Sequence, residues 1–143
     1  ANMQRGKGFT ERLLPLDESQ RDPASSLWAF EDFSDLVKRY PDSQYAEDAK
    51  LRMKHLRNIL AEHEIHVAQY YMRRGAYVAA ANRARYVVEK YARTPSIPDA
   101  LVIMAKAYKI MELDELSEDA IRVLELNYPN HIGIYEVREV RLQ

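Results

Sequence analysis

The densest run of potential chemistry in the chain is His63-Glu64-Ile65-His66, with Glu62 beside it. Residues three apart share a helix face, so two imidazoles and a carboxylate there could hold a divalent metal. The zinc-protease pattern needs two residues between the glutamate and the second histidine, and only Ile65 stands between them. No third ligand is apparent, and His55 and His131 have no partner pattern, so the pair reads as solvated side chains on a polar helix. Gly6-Lys7-Gly8 lacks the full phosphate-loop spacing and follows no apolar strand, so it reads as a basic loop. Ser25, Ser26 and Ser43 stand where helix caps belong rather than beside a base. Without cysteine there is no thiolate nucleophile and no disulfide framework. The chain is therefore expected to be non-enzymatic, with no catalytic residues, metal or cofactor.

The bulk properties agree with a binding protein. A chain of 143 residues, 47% apolar and 30% charged, can bury a core and is expected to form a single domain. A net charge of −1 argues against nucleic acid as a partner. No apolar run approaches the ~20 residues of a membrane span.

The elements that must carry any site are helices. From Ser43 to Arg74 there is neither proline nor glycine, and Leu51, Leu56, Ile59, Leu60, Val67, Ala68 and Tyr71 recur at helical spacing. Pro41 precedes this stretch, Ser43 can cap it and Gly75 ends it, which predicts one long helix. Asp22-Pro23 opens an earlier helix as cap and first-turn proline, with Ala29, Phe30, Phe33, Leu36, Val37 and Tyr40 on one face. Trp28 flanks that stripe. Beyond Gly75 a helix is expected from about Ala76 to Ala92, then one restarted by Thr94-Pro95, then one after the joint Glu112-Leu113-Asp114 that carries Leu116, Ala120, Ile121 and Leu124. Residues 1–23 read as the end of an element and a loop. The tail 130–143 alternates first like a strand and then like a helix, and its pattern does not choose.

Three of these helices end alike, in Arg39-Tyr40-Pro41, Lys90-Tyr91 with Pro95 soon after, and Asn127-Tyr128-Pro129. Eleven, seven and four residues before each tyrosine stand a small residue and two packing residues: Ala29/Phe33/Leu36, Ala80/Ala84/Val87 and Ser117/Ile121/Leu124. The preceding helices match as well, with Val67, Ala68 and Tyr71 corresponding to Met104, Ala105 and Tyr108. Small residues where two helices cross, between large ones, resemble the tetratricopeptide repeat. The resemblance covers about 61–94 and 98–129, with half of an earlier repeat at 24–41. Glu64 departs from it, standing where the last repeat has Leu101. Tyr40 to Tyr91 spans 51 residues, 17 more than the 34-residue repeat, and the surplus falls in the long helix near Gln44–Leu60. The expected fold is all-α, a tetratricopeptide-repeat-like α-solenoid of about two and a half helix pairs with one long helix.

Longer stretches narrow the resemblance. Arg21-Asp22-Pro23, the run from Tyr40 to Ala46 (YPDSQYA), and Val67-Ala68 through Tyr70-Tyr71 to Arg74-Gly75-Ala76 are similar to the BamD family, lipoproteins of the bacterial outer-membrane β-barrel assembly machinery. The resemblance runs from about Leu13 to Tyr128 and implies the C-terminal half of such a protein. It implies a location at the periplasmic face of the outer membrane, with an N-terminal lipid anchor outside this chain as the only membrane attachment. It also implies partners: the POTRA domains of the barrel-inserting subunit BamA, the other lipoproteins of the machine, and unfolded outer-membrane protein segments. A generic module that binds peptide tails in its groove is the alternative with the same fold.

Charge suggests where a partner would dock. Residues 73–93 carry six basic side chains against Glu89, whereas 94–128 carry three against seven acids. If Ala80 centres the buried face of its helix, Arg83 lies roughly 60° away, on the rim. Tyr70 is one residue off the packed Tyr71, Arg73 and Arg74 end the long helix, and Tyr77 begins the next. Aromatic residues with arginine are the usual composition of an interface hot spot, so Tyr70, Arg73, Arg74, Tyr77 and Arg83 are the candidate partner-binding residues. Tyr71, Tyr91, Tyr108 and Tyr128 are expected to pack in the core.

Overall fold

The computed structural model describes residues 22–140, so the expectations for Gly6-Lys7-Gly8 and for the two chain ends lie outside the described residues. Six helices follow in order: α1 (Pro23–Arg39), α2 (Ala46–Arg73), α3 (Tyr77–Lys90), α4 (Ile97–Ile110), α5 (Asp114–Asn127) and α6 (Gly133–Glu139). No strand occurs among the described residues.

The start signals work largely as the residues suggest. The Asp22 carboxylate accepts from the Ala24 N–H at 3.0 Å, and Pro23 occupies the first turn of α1, where its missing N–H costs nothing. Two starts differ from expectation. Helix α2 begins at Ala46 rather than Ser43, because Ser43 Oγ accepts from the Tyr45 N–H at 3.2 Å and holds a turn instead. Helix α4 begins at Ile97, not after Thr94-Pro95. The Thr94 hydroxyl donates to the Tyr91 carbonyl at 2.7 Å, tying it to the preceding helix, and Pro98 is the first-turn proline. Helix α2 is still the longest at 28 residues, about 42 Å.

The repeated tyrosines have one backbone role. Tyr40, Tyr91 and Tyr128 are the C-cap residues of α1, α3 and α5, at φ −132°, −118° and −137°, and each N–H closes the last turn onto the carbonyl four residues back. The small positions behind them make the close crossings: Ala80 and Ala84 have no exposed surface, and neither do Ala68 and Ala105 on the partner helices. Ser117 takes the same place in α5, where its hydroxyl donates to the Ala105 carbonyl at 2.8 Å and so satisfies a buried polar group. One core gathers Ala61, Ile65, Ala68, Ala80, Ala84, Val87 and Ile103, with Tyr71 and Tyr91 packed against it. The next gathers Leu101, Ala105, Ile121, Leu124, Ile134 and Val137, with Tyr128 at its edge. Fully buried side chains such as Val87, Leu124 and Val137 each contribute about 1.5–3 kcal/mol. Three positions expected to be apolar packing are instead exposed: Tyr40 at 63%, Leu51 at 68% and Leu116 at 47%.

Helices α2 and α3 form one antiparallel hairpin, α4 and α5 the next, and α4 also packs on α3. Helix α1 packs along the N-terminal part of α2, with the Arg52 guanidinium over the Phe33 ring. The undecided tail resolves as α6, laid on α4. Its seat is one face of α4, at Asp99, Val102, Lys106 and Lys109. Lys106 Nζ meets Glu136 at 2.8 Å, which holds that carboxyl below its usual range, and Lys109 Nζ donates to the Val137 carbonyl at 2.9 Å. A Cβ added at Gly133 would lie 2.2 Å from Val102 Cγ2, so only glycine lets α6 approach this closely.

Candidate partner-docking corner

The connection from α2 to α3 is a tight corner. Gly75 adopts φ +74°, a left-handed conformation that L side chains rarely take, and the Ala76 N–H returns to the Tyr71 carbonyl at 2.9 Å. Around it Tyr70 is 46% exposed, with its ring 5.9 Å from that of Tyr71. Arg74 folds back over Tyr70: its Nε donates to the phenol oxygen at 3.0 Å, and its guanidinium carbon lies 5.3 Å from the ring centroid. Tyr77 is half-buried in the first turn of α3.

Arg83 lies in a cleft of about 500 Å3 between α2 and α3, lined by Glu64, Tyr71, Ala79, Asn82 and Tyr86. Its Nη1 meets Glu64 Oε2 at 2.9 Å. That contact raises the guanidinium pKa above its already high ordinary value, the hydrogen bond it donates to Glu64 contributing most. Arg83 is thus a rim residue with a partner inside its own hairpin. Arg73 points elsewhere, into a groove of about 470 Å3 on the other side of α2, whose walls include Gln69, Asp99, Lys106 and Glu136. A smaller hollow of about 240 Å3, with Asn58, Glu62 and His66, shares Gln69 and Asp99 with it, so the two form one groove along α2 and α4. The structure therefore brings Tyr70 and Arg74 together, sets Arg83 in the neighbouring cleft and places Arg73 on a different face.

Sequence reasoning missed Glu64, Asn82 and Tyr86 as cleft residues. The signal was present: Glu64 breaks the repeat pattern, and a carboxylate at a packing position asks for a buried cation or an open edge. Among the described residues no cluster of three or more His, Cys, Asp or Glu side chains is placed to hold a metal ion. None of the described helices is long and apolar enough to cross a membrane.

Comparison with known proteins bears on what such a surface serves. Residues 1–124 match the family described as YfiO, outer membrane lipoprotein. The outer membrane protein assembly factor BamD of Neisseria gonorrhoeae is 43% identical over 123 residues, covering 86% of this chain and 46% of that protein. The BamD proteins of Xylella fastidiosa (Temecula1) and Vibrio cholerae are 40% and 37% identical over 131 and 126 residues, covering 92% and 88% of this chain and 45% and 52% of theirs. The chain spans about half the length of these curated relatives. With the repeated helix pairs seen above, these matches show that the chain belongs to the YfiO/BamD family of outer membrane lipoproteins.

Proposed function

We propose that this chain is a non-enzymatic scaffold part of the outer-membrane β-barrel assembly machinery. In this reading it works at the periplasmic face of the outer membrane. It docks on the POTRA domains of BamA through the α2–α3 corner, together with the other lipoproteins of the machine, and supports folding and insertion of outer-membrane proteins. The observation that carries the reading is the corner itself: Tyr70 is pre-positioned by Arg74 and stands beside Tyr77 and the Arg83 cleft, on the basic hairpin. A rigid aromatic–arginine pair loses little conformational freedom on binding, which favours affinity.

The test is calorimetric titration of this chain with the membrane-proximal POTRA domain. Tyr70→Ala with Arg74→Ala should weaken binding about 100-fold, close to 3 kcal/mol. Arg83→Glu alone disturbs the ion pair with Glu64, so it is compared with the swap Glu64→Arg/Arg83→Glu, which keeps an internal pair. Unchanged affinity in both the corner variant and the swap would refute this docking site.

The α2–α4 groove supports a second reading, a module that binds peptide tails or unfolded outer-membrane protein segments there. Arg73→Glu would then abolish peptide binding and leave POTRA binding unchanged.

A further inference from the structure

The groove between α2 and α4 carries a charge pattern that the repeat itself lays down. Tyr91 and Tyr128 are 37 residues apart, and the same step takes Glu62 to Asp99. The two carboxylates thus hold equivalent positions on successive first helices, and both line the hollow at one end of the groove. At the other end each wall carries a cation, Arg73 on α2 and Lys106 on α4. The α4 charges already lie beside partners from the α6 side. His131 Nε2 is 3.6 Å from Asp99, and Lys106 Nζ meets Glu136 at 2.8 Å. Glu62 and Arg73 occupy exposed positions on α2, so they are the charges that a ligand in the groove meets. Eleven residues separate them. That is within about 20° of three full helical turns, so both leave one face of α2, with roughly 16 Å of axis between them.

Between these two charges the α4 wall is apolar. It consists of Val102 and Ile103, with Met72 of α2 in the same hollow and Ile132, 70% exposed, at the rim. Gln69 lines both hollows, and its amide can donate to and accept from the backbone of an extended chain. An extended chain advances about 3.3 Å per residue and turns alternate side chains to one face. Side chains four residues apart therefore share a face at a separation of about 13 Å, and the long ends of arginine, lysine and glutamate cover the remainder. We propose, resting on the peptide-binding reading of this groove, that it takes an extended segment of an unfolded chain whose groove-facing side chains are basic, apolar and acidic at alternate positions. The basic group meets Glu62, the apolar one lies against Val102 and Ile103, and the acidic one meets Arg73. One guanidinium can hold one side-chain carboxylate by two parallel hydrogen bonds, so the segment needs no free chain terminus.

Three peptides, acetylated at one end and amidated at the other, test this by fluorescence anisotropy at about 0.15 M salt. The first is Lys-Thr-Phe-Thr-Glu flanked by serines; the others carry lysine at both charged positions, or glutamate at both. The mixed peptide should bind about tenfold more tightly than either like-charged one, since each of those sets one charge against its like. Arg73→Glu should lose the mixed peptide and take the doubly basic one instead, and Glu62→Lys should take the doubly acidic one. Both sites are exposed, so the circular dichroism of the variants should match that of the parent. If all three peptides bind equally, or the variants keep the parent's order, peptide binding stands and the proposed charge order falls. If none of the three binds, the peptide-binding reading fails and the charge order with it. Tight binding that appears only when the amide is replaced by a free carboxylate would assign Arg73 to a chain end and overturn the proposal as well.

Discussion

The ion pair between Glu64 and Arg83 is the contact on which both the hairpin and its cleft turn. Glu64 is only 15% exposed at its side chain, whereas Arg83 is 46% exposed, and their atoms meet at 2.9 Å. At roughly 3 Å, two unit charges attract by about 1.4 kcal/mol in water and by about 5.5 kcal/mol at an effective dielectric of 20. The half-exposed guanidinium and the desolvation of Glu64 put the net coupling near the lower figure, about 1 kcal/mol. Arg83→Ala should cost more than that coupling, about 1.5–2 kcal/mol, since it strands a mostly buried carboxylate. Glu64→Ala should cost about 1 kcal/mol, because the freed arginine can turn to solvent. The assay is a double-mutant cycle in urea, followed by circular dichroism, at low salt and at about 1 M salt, where the Debye length is about 3 Å. Coupling should fall by about half at high salt, since one partner is half-exposed. A coupling within about 0.3 kcal/mol of zero at low salt, or an Arg83→Ala variant as stable as the parent, would refute the view that this pair closes the hairpin.

Three further outcomes follow from named contacts. Gly133→Ala should destabilise by about 1–3 kcal/mol, since its Cβ meets Val102 Cγ2 at 2.2 Å, and Val102→Ala should recover part of the loss; thermal melts of the single and double variants check this. Gly75→Ala should cost about 1–2 kcal/mol for strain at φ +74° rather than for crowding, because nothing lies within 4 Å of an added Cβ; the loss should be similar in Gly75→Ser and smaller in Gly75→Asn. Burial pushes the Tyr91 phenol up to about 12, so the folded chain keeps a proton that the unfolded chain gives up near pH 10. That stability is fully present below pH 10 and is lost between about pH 10 and 12, at up to about 1.4 kcal/mol per pH unit. Tyr91→Phe should therefore flatten the alkaline limb of the stability profile.

The helices and their repeat were legible because they rest on local rules. Asp22-Pro23, Gly75 and the Tyr-Pro endings act within a few residues of themselves, and the spacing of Ala80, Ala84 and Val87 reports one buried face regardless of what covers it. Starts were misplaced where a side chain had two local options. The Ser43 hydroxyl could cap a helix or close a turn, and that of Thr94 could begin the next helix or bind back to Tyr91; only the surrounding backbone settles such a choice. The tail was ambiguous for a related reason. Its seven-residue helix is too short to declare a period, and α4 supplies the contacts that hold it, through Asp99, Val102, Lys106 and Lys109.

The candidate site divides along the same line. Residue types and charge alone pointed to Tyr70, Arg73, Arg74, Tyr77 and Arg83, which are close in sequence. A helix turns by 100° per residue, so Arg73 and Arg74 leave α2 in different directions, and the structure sends one into the α2–α4 groove and the other over Tyr70. Whether Arg83 is free or paired depended on Glu64, nineteen residues away and on another helix. Sequence by itself thus determined what is periodic and local: all-helical hairpins, their caps, and 17 surplus residues in one helix. Tertiary structure decided what depends on register between helices. The surplus carries the last turns of α2 past the start of α1, where Glu64 meets Arg83 of α3, because a shift along a helix axis changes which neighbours a side chain meets.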